Sequence, residues 1–494
     1  MLDQTELDSD LLALQRVRVL QRNARKAAAD LARLDESAAK AIAAKIGQAM
    51  MPRGEFYAEW ELRETGYGRV QDKVAKHDAI VASALNDWND VQLGGTRINE
   101  DEKCVEIAYP AGVIVAIVPS TTAVPAIIWK VMMAIMTRSA VIVSPHPATN
   151  DCSVAAVEEI AAVARAAGAP EHAVQILDGP TLPTTQALMK NPGCNLIMAT
   201  GGNPLVRAAY SSGTPALGVG SGNVPVYVDE SADLDLAAYC TVTDKEFEYG
   251  TPCSSPSVVF AHRAIAEQLK QKMSAQGAQF LTSAETDKMR ECAFGGGSLN
   301  PAIVGQSPAK VGKIAGLNVP DSTRAIYCPI PGKPDRSERL LKEKLSVICG
   351  FIEVDSLDDA IDIAGEMLSY AGNGHSCNLY TENAEQAVRF GGALTYNRII
   401  VNTGVVVGAL GDNNSLKGSA MIGTGFAGGS SVGHNVQPTD LIQWKKVVFA
   451  TNPVDVPQAK VAAQPAPAAT PDTLSDTVKN ELRALLREEL ARNQ

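Results

Sequence analysis

Little in this chain of 494 residues marks it for a membrane, a nucleic acid or an oxidising compartment. Lys and Arg number 44 against 55 Asp and Glu, so the net charge is -11, and no basic block reaches groove-binding density. That argues against nucleic acid or an anionic membrane surface as a partner. The nine cysteines are scattered, odd in number and never at CxxC spacing. Neither a disulfide framework nor a zinc site is indicated, and no metal is expected. The longest apolar stretches, near 111–119 and 126–136, are too short to span a bilayer and are broken by Pro119 and Lys130. The first residues, Met1-Leu2-Asp3-Gln4-Thr5-Glu6, lack the charged-then-apolar order of a signal peptide. The expectation is a reducing, cytoplasmic setting.

What is present fits a soluble α/β enzyme. Apolar residues make up 46% and charged residues 20%, with 40 glycines, enough for a large core. The length suggests about three domains. Residues 8–50 and 54–90 carry helical periodicity, with Met51-Pro52-Arg53-Gly54 between them. Residues 92–111 read as an exposed ribbon. An α/β rhythm then begins with the buried-type strand Val113–Val118, a helix at 126–137 and a strand at Ala140–Val143. It continues to Val224–Val228 and describes an open, mostly parallel sheet able to hold a nucleotide at its strand ends. A second α/β set starts near 247, with strands at 257–261, 346–354 and 397–402. Residues 404–433 are glycine-rich, and 437–449 read as a last strand. Residues 451–472 form a Pro/Ala linker. Beyond it, Leu474, Val478, Leu482, Leu485, Leu486 and Leu490 fall on one helical face.

One stretch carries chemistry. In Glu248-Tyr249-Gly250-Thr251-Pro252-Cys253-Ser254-Ser255 a lone cysteine follows a Gly-x-Pro turn among small residues. Room around the sulfur, and backbone N–H groups aimed at it, would favour the nucleophilic thiolate. The alternative is a cysteine that packs as a small hydrophobe.

Residues from about 12 to 450 resemble the CoA-acylating aldehyde dehydrogenases, a branch that includes microcompartment propionaldehyde and acetaldehyde dehydrogenases. The matching stretches begin with Pro110-x-Gly112 and Ile117-Val118-Pro119-Ser120-Thr121-Thr122, Ser144-Pro145-His146-Pro147, and Ala199-Thr200-Gly201-Gly202. They continue with Ala208-Ala209-Tyr210-Ser211-Ser212-Gly213, Gly218-Val219-Gly220-Ser221-Gly222-Asn223, Glu343-Lys344-Leu345-Ser346, Gly374-His375-Ser376 and Arg398–Thr403. The resemblance implies two Rossmann-like α/β domains plus a small β oligomerisation domain. Residues 1–91 and 112–246 would be the NAD-binding domain, 247–435 the catalytic domain, and 92–111 with 436–450 the oligomerisation ribbon. The linker at 451–472 would tether a tail helix, 473–494, similar to an encapsulation peptide. Such a peptide implies docking to microcompartment shell proteins and a place in the microcompartment lumen; a homo-dimer or tetramer is also implied.

The same resemblance implies the chemistry. Cys253 attacks a small aldehyde, hydride passes to NAD, and coenzyme A releases the acyl group from a cysteine thioester. Thr122 stands where many relatives carry asparagine and would be the side-chain half of the oxyanion hole, with Thr121 beside it. His375 matches a histidine expected to act as acid/base or to contact CoA. Glu343 matches the glutamate that holds the nicotinamide ribose, and Gly202 and Gly220 would let backbone approach the dinucleotide. Ser144 replaces a lysine used on the adenosine ribose, with His146 nearby; NAD rather than NADP is expected. The loop Gly218-Val219-Gly220 has no carboxylate where hydrolytic relatives carry a water-activating glutamate. Without that base the acyl-enzyme waits for a thiol. Two alternatives stand beside this reading: an enzyme that makes free acid, and a shell-associated assembly protein with a vestigial catalytic fold.

Overall fold

The helical pattern of residues 8–50 is interrupted where Asp35 takes the Ala38 N–H at 2.7 Å and caps a new helix. Two helices result, α1 (Ser9–Leu31) and α2 (Glu36–Met50), followed by α3 (Gly54–Thr65) and α4 (Val70–Asn86). The computed structural model describes residues 8–449. The ribbon forms as an antiparallel pair, β1 (Thr96–Asn99) and β2 (Cys104–Pro110).

The first sheet is built from β3 (Val113–Ile117), β4 (Ala140–Ser144), β5 (Val174–Ile176), β6 (Leu196–Thr200) and β7 (Ala216–Val219). All pairs are parallel, in the order β5-β4-β3-β6-β7. Between them run α5 (Ala123–Met136), α6 (Asn150–Ala166), α7 (Leu182–Met189) and α8 (Asn203–Tyr210). Helix α5 is buried along its whole length, as its nearly unbroken apolar sequence requires. The strand order reverses between β3 and β6, where a doubly wound sheet opens a crevice beyond its strand ends. Lys130 of α5 is buried there and donates to the Ile117 carbonyl at 2.6 Å and the Thr200 hydroxyl at 2.9 Å.

The second sheet comprises β8 (Val224–Val228), β9 (Pro256–His262), β10 (Ala278–Phe280), β11 (Ala325–Pro329), β12 (Ile348–Val354), β13 (Ser376–Tyr380) and β14 (Arg398–Val401). It too is parallel, in the order β10-β11-β12-β9-β8-β13-β14. This corrects one boundary. Sequence rhythm assigns Val224–Val228 to the first unit, 112–246, yet β8 pairs with β9 and β13 in the second sheet. Helix α9 (Leu234–Glu246) then leads into the cysteine turn. Strand β13 escapes the sequence reading because Ser376 and Asn378 interrupt its apolar character. Both are fully buried, and Asn378 donates to Ile400 and Thr403 carbonyls at 2.9 and 3.1 Å.

The last strand, β15 (Ile442–Val448), pairs with β2 to complete a separate three-stranded sheet. Its strand order is β1-β2-β15. No helix among the described residues is long and apolar enough to cross a membrane. The linker at 451–472 and the tail helix at 473–494 lie outside the described residues.

Candidate active site

Cys253 sits in the turn between α9 and β9, and it is half-buried while Ser254 and Ser255 behind it are buried. The turn has an unusual start. Glu248, Tyr249 and Gly250 adopt φ of 52°, 50° and 74°, three left-handed residues in succession. At Gly250 only glycine fits, since a Cβ would stand 2.2 Å from the Ser346 carbonyl oxygen. Burial and then the Glu343 carboxyl push the Cys253 thiol up to about 12. Backbone groups of Cys253 and Ser254 and the Arg398 guanidinium act the other way. The thiol of the free protein is thus protonated at neutral pH, and the devices that favour thiolate are in place around it.

The loop Gly218–Asn223 joins the two sheets. Gly218 donates its N–H to the Tyr210 hydroxyl at 3.0 Å and accepts from Ser430 at 2.7 Å. Ser221 N–H reaches Asn203 Oδ1 at 3.2 Å. Gly222 lies against the Cys253 carbonyl, and its N–H pulls the Glu343 carboxyl down. The Asn223 amide donates to Leu341 and Met367 carbonyls at 2.9 and 3.2 Å. Cys253, Gly220 and Glu343 are thereby brought together by one short connection.

Glu343 itself is only half-buried at its surface, but burial of its carboxyl raises it to about 8, against the pull of the Gly222 N–H and Lys245. Lys344 does not pair with it. That ammonium is buried and donates to Leu340 and Lys342 carbonyls and the Ser257 hydroxyl. His375 is fully buried, and both ring nitrogens lack a partner. Burial, with Arg398 nearby, lowers it to about 3, so it is neutral at working pH. Thr122 occupies the N-cap position of α5 but makes no capping bond, which leaves its hydroxyl uncommitted to the helix. The Thr121 carbonyl accepts from Lys76 at 2.7 Å.

Beside this site a cavity of about 400 Å³ opens between α8 and the glycine-rich segment, lined by Arg207, Gly220, Tyr370, Thr424 and Gly428 among others. A Cβ at Gly220 would meet Asn203 Oδ1 at 2.8 Å, and Thr424 Oγ1 is buried without a partner. Gly202 stands at the N-cap of α8. Thin backbone, helix N–H groups and the exposed Arg207 guanidinium suit a phosphorylated ligand such as a dinucleotide or CoA. Ser144 is buried with its hydroxyl on Thr185 at 3.2 Å, while His146 is exposed and accepts the Ala148 N–H at 3.1 Å. Neither is among the residues that line the cavity.

Two charged features have no role in the sequence reading. Arg398 is buried and donates to the His375, Gly423 and Asn435 oxygens at 3.1, 2.6 and 2.6 Å, tying the His375 loop to the glycine-rich segment. An arginine heading the apolar run Ile399-Ile400-Val401 was the available signal. Lys73 and Lys76 meet Glu248 in the interior. On an amphipathic helix such lysines look like a solvated face.

Residues 13–295 match the profile of the aldehyde dehydrogenase family. The bifunctional aldehyde-alcohol dehydrogenase AdhE of Escherichia coli (strain K12) is 35% identical over 397 residues, 79% of this chain and 44% of that protein. The chain thus spans about half the length of the bifunctional relatives it matches. The acetylating succinate-semialdehyde dehydrogenase of Clostridium kluyveri is 31% identical over 414 residues, 83% of this chain and 91% of that protein. The crystal structure of an acetylating aldehyde dehydrogenase from Geobacillus thermoglucosidasius superimposes with a TM-score of 0.88 at 32% identity, covering 92% of this chain and all of that one.

Proposed function

The chain belongs to the aldehyde dehydrogenase family, and on that premise we propose that it converts a small aldehyde, CoA and NAD to acyl-CoA and NADH. The observation that carries this reading is the loop Gly218-Val219-Gly220. It has no carboxylate, and its backbone is committed to Tyr210 and Ser430. Glu343, the carboxyl that acts on the Cys253 sulfur, keeps its proton to about pH 8. Neither that loop nor Glu343 thus offers water a base at neutral pH, and a thioester on Cys253 persists until a thiol attacks. The acetylating relatives support the same outcome.

Cys253 adds to the aldehyde carbon, and the resulting alkoxide is met by backbone N–H groups of the turn and the Thr122 hydroxyl. NAD, when bound, supplies the hydride acceptor. Gly202, Gly220 and Glu343 hold it, with His146 at the outer edge by Ser144. His375, neutral and without partners, serves as a hydrogen-bonding group for the CoA sulfur side of the cleft. The chain works as a homo-dimer or tetramer: Tyr109, Val447 and Val448 are exposed on the β1-β2-β15 sheet, which has open edges. The tail at 473–494 directs it to a microcompartment shell, on the strength of its amphipathic sequence after a Pro/Ala linker.

NADH formation across C2–C4 aldehydes, with and without CoA, tests the activity. Sustained turnover to acyl-CoA only in the presence of CoA is expected. Free acid formed at an undiminished rate without CoA overturns it. Removal of residues 470–494 is expected to spare activity and abolish recovery with shells; unchanged recovery refutes the targeting role.

A further inference from the structure

Four charged side chains meet in the interior between α3, α4 and the cysteine turn. Glu61 is 2% exposed and Glu248 fully enclosed, and Lys73 and Lys76 are buried with them. Both ammonium groups lie 3.0 Å from the same oxygen, Glu248 Oε2, and Lys73 is also 3.7 Å from Glu61. Asp72, on the same face of α4, takes the Glu248 N–H at 2.8 Å. Gly68 leaves room for the carboxylate, since a Cβ there would stand 2.8 Å from Glu248 Oε1. Helix α4 thus grips both the backbone and the side chain of Glu248, the first of the three left-handed residues that precede Cys253.

The same cluster also holds the loop that carries Thr122. Lys76 Nζ donates to the Thr121 carbonyl at 2.7 Å, and Glu61 accepts the Val124 N–H at 2.7 Å. Thr122 lies between those two anchors. The cluster holds two cations and two carboxylates, so it is neutral overall. Packed apolar residues could fill such a space at no loss of stability. An apolar residue cannot donate at once to oxygens on two separate segments. Lys76 does that through hydrogen bonds to Thr121 and Glu248, whereas Lys73 hydrogen-bonds Glu248 alone and meets Glu61 only as an ion pair at 3.7 Å.

We propose that Lys76 is a positioning residue that sets the spacing between the Cys253 turn and the Thr121–Val124 loop, and so between the nucleophile and its oxyanion donor. The proposal rests on the thioester reading above. Loss of the bridge lets Thr122 drift from the carbon that Cys253 attacks, and displacement by about 1 Å costs on the order of 100-fold in rate.

The test compares Lys76→Met, Lys76→Arg and Lys73→Met in the full chain. Stopped-flow measures the single-turnover burst of NADH from propionaldehyde and NAD, and fluorescence measures NAD binding. Lys76→Met is expected to slow the burst about 100-fold with NAD affinity within about twofold, and Lys76→Arg to recover most of the rate. Lys73→Met is expected to cost under about fivefold, since the Thr121 bridge survives. Equal losses at positions 73 and 76, or an unchanged burst in Lys76→Met, overturn the proposal. Should Lys76→Met fail to fold, Glu248→Ala removes the acceptor at the other end of the bridge, and an unchanged burst there is equally fatal. The alkylation rate of Cys253 by iodoacetamide, followed at its peptide, needs no substrate. A wild-type protein without a burst defeats the aldehyde reading. A Cys253 alkylation rate that differs between Lys76→Met and Lys73→Met then still supports the positioning role, and identical rates remove it.

Discussion

The backbone of Gly222 passes so close to Cys253 that a Cβ built on it would lie 1.7 Å from the Cys253 carbonyl oxygen. Nothing flexible stands in the way; the obstacle is the main chain of the nucleophile's own turn. The N–H of the same glycine is one of the groups that lower the Glu343 carboxyl. Gly222→Ala is therefore expected to move the cysteine turn and the carboxyl together. Steady-state kinetics is expected to show kcat lowered by about 100-fold or more. A variant that keeps wild-type kcat contradicts this packing.

Cys253→Ala is expected to abolish NADH formation and leave NAD binding within about twofold, because the sulfur is not among the cavity-lining groups. In the unaltered protein the thiol sits near 12. Alkylation of Cys253 is accordingly expected to climb about tenfold per pH unit between pH 7 and 10 without a plateau. A plateau below pH 8 shows a thiolate already formed in the free protein.

His375 links pH to stability. Its folded value, about 3, lies below the ordinary 6.5. The unfolded chain then binds a proton that the folded chain refuses, so the contribution is full above pH 6.5 and is lost as pH falls toward 3. At pH 5 the loss is about 2 kcal/mol. Urea midpoints at pH 7.5 and 5 are expected to converge in His375→Gln relative to the parent. The same midpoint shift in both proteins assigns the acid sensitivity elsewhere.

Glu343, raised to about 8, is uncharged at neutral pH. Glu343→Gln is expected to change KM for NAD by under about threefold at pH 7, since an amide keeps the hydrogen-bonding shape. In the parent the KM profile is expected to bend near pH 8 as the carboxyl ionises, and in the variant to stay flat. A large effect of the substitution at pH 7 indicates a charged carboxylate in the loaded site.

Much of this protein is written locally. Unbroken apolar runs such as Val113–Ile117 demand a strand covered on both faces, and the rhythm of runs and helices demands a doubly wound sheet. The Gly-x-Pro turn and its small residues mark Cys253, and the missing carboxylate at Gly218–Gly220 is visible without coordinates. What remained to the tertiary structure depends on contacts between residues far apart in the chain. Strand β8 joined the second sheet because pairing with β9 and β13 is not a property of its own five residues. Lys76 meets Glu248 across 172 positions, and Arg398 meets Asn435 across 37. A charge in an amphipathic helix reads the same whether it faces water or a buried carboxylate. Only the packing of α4 against the cysteine turn decided that these lysines face inward, and that the turn they grip is the one carrying Cys253.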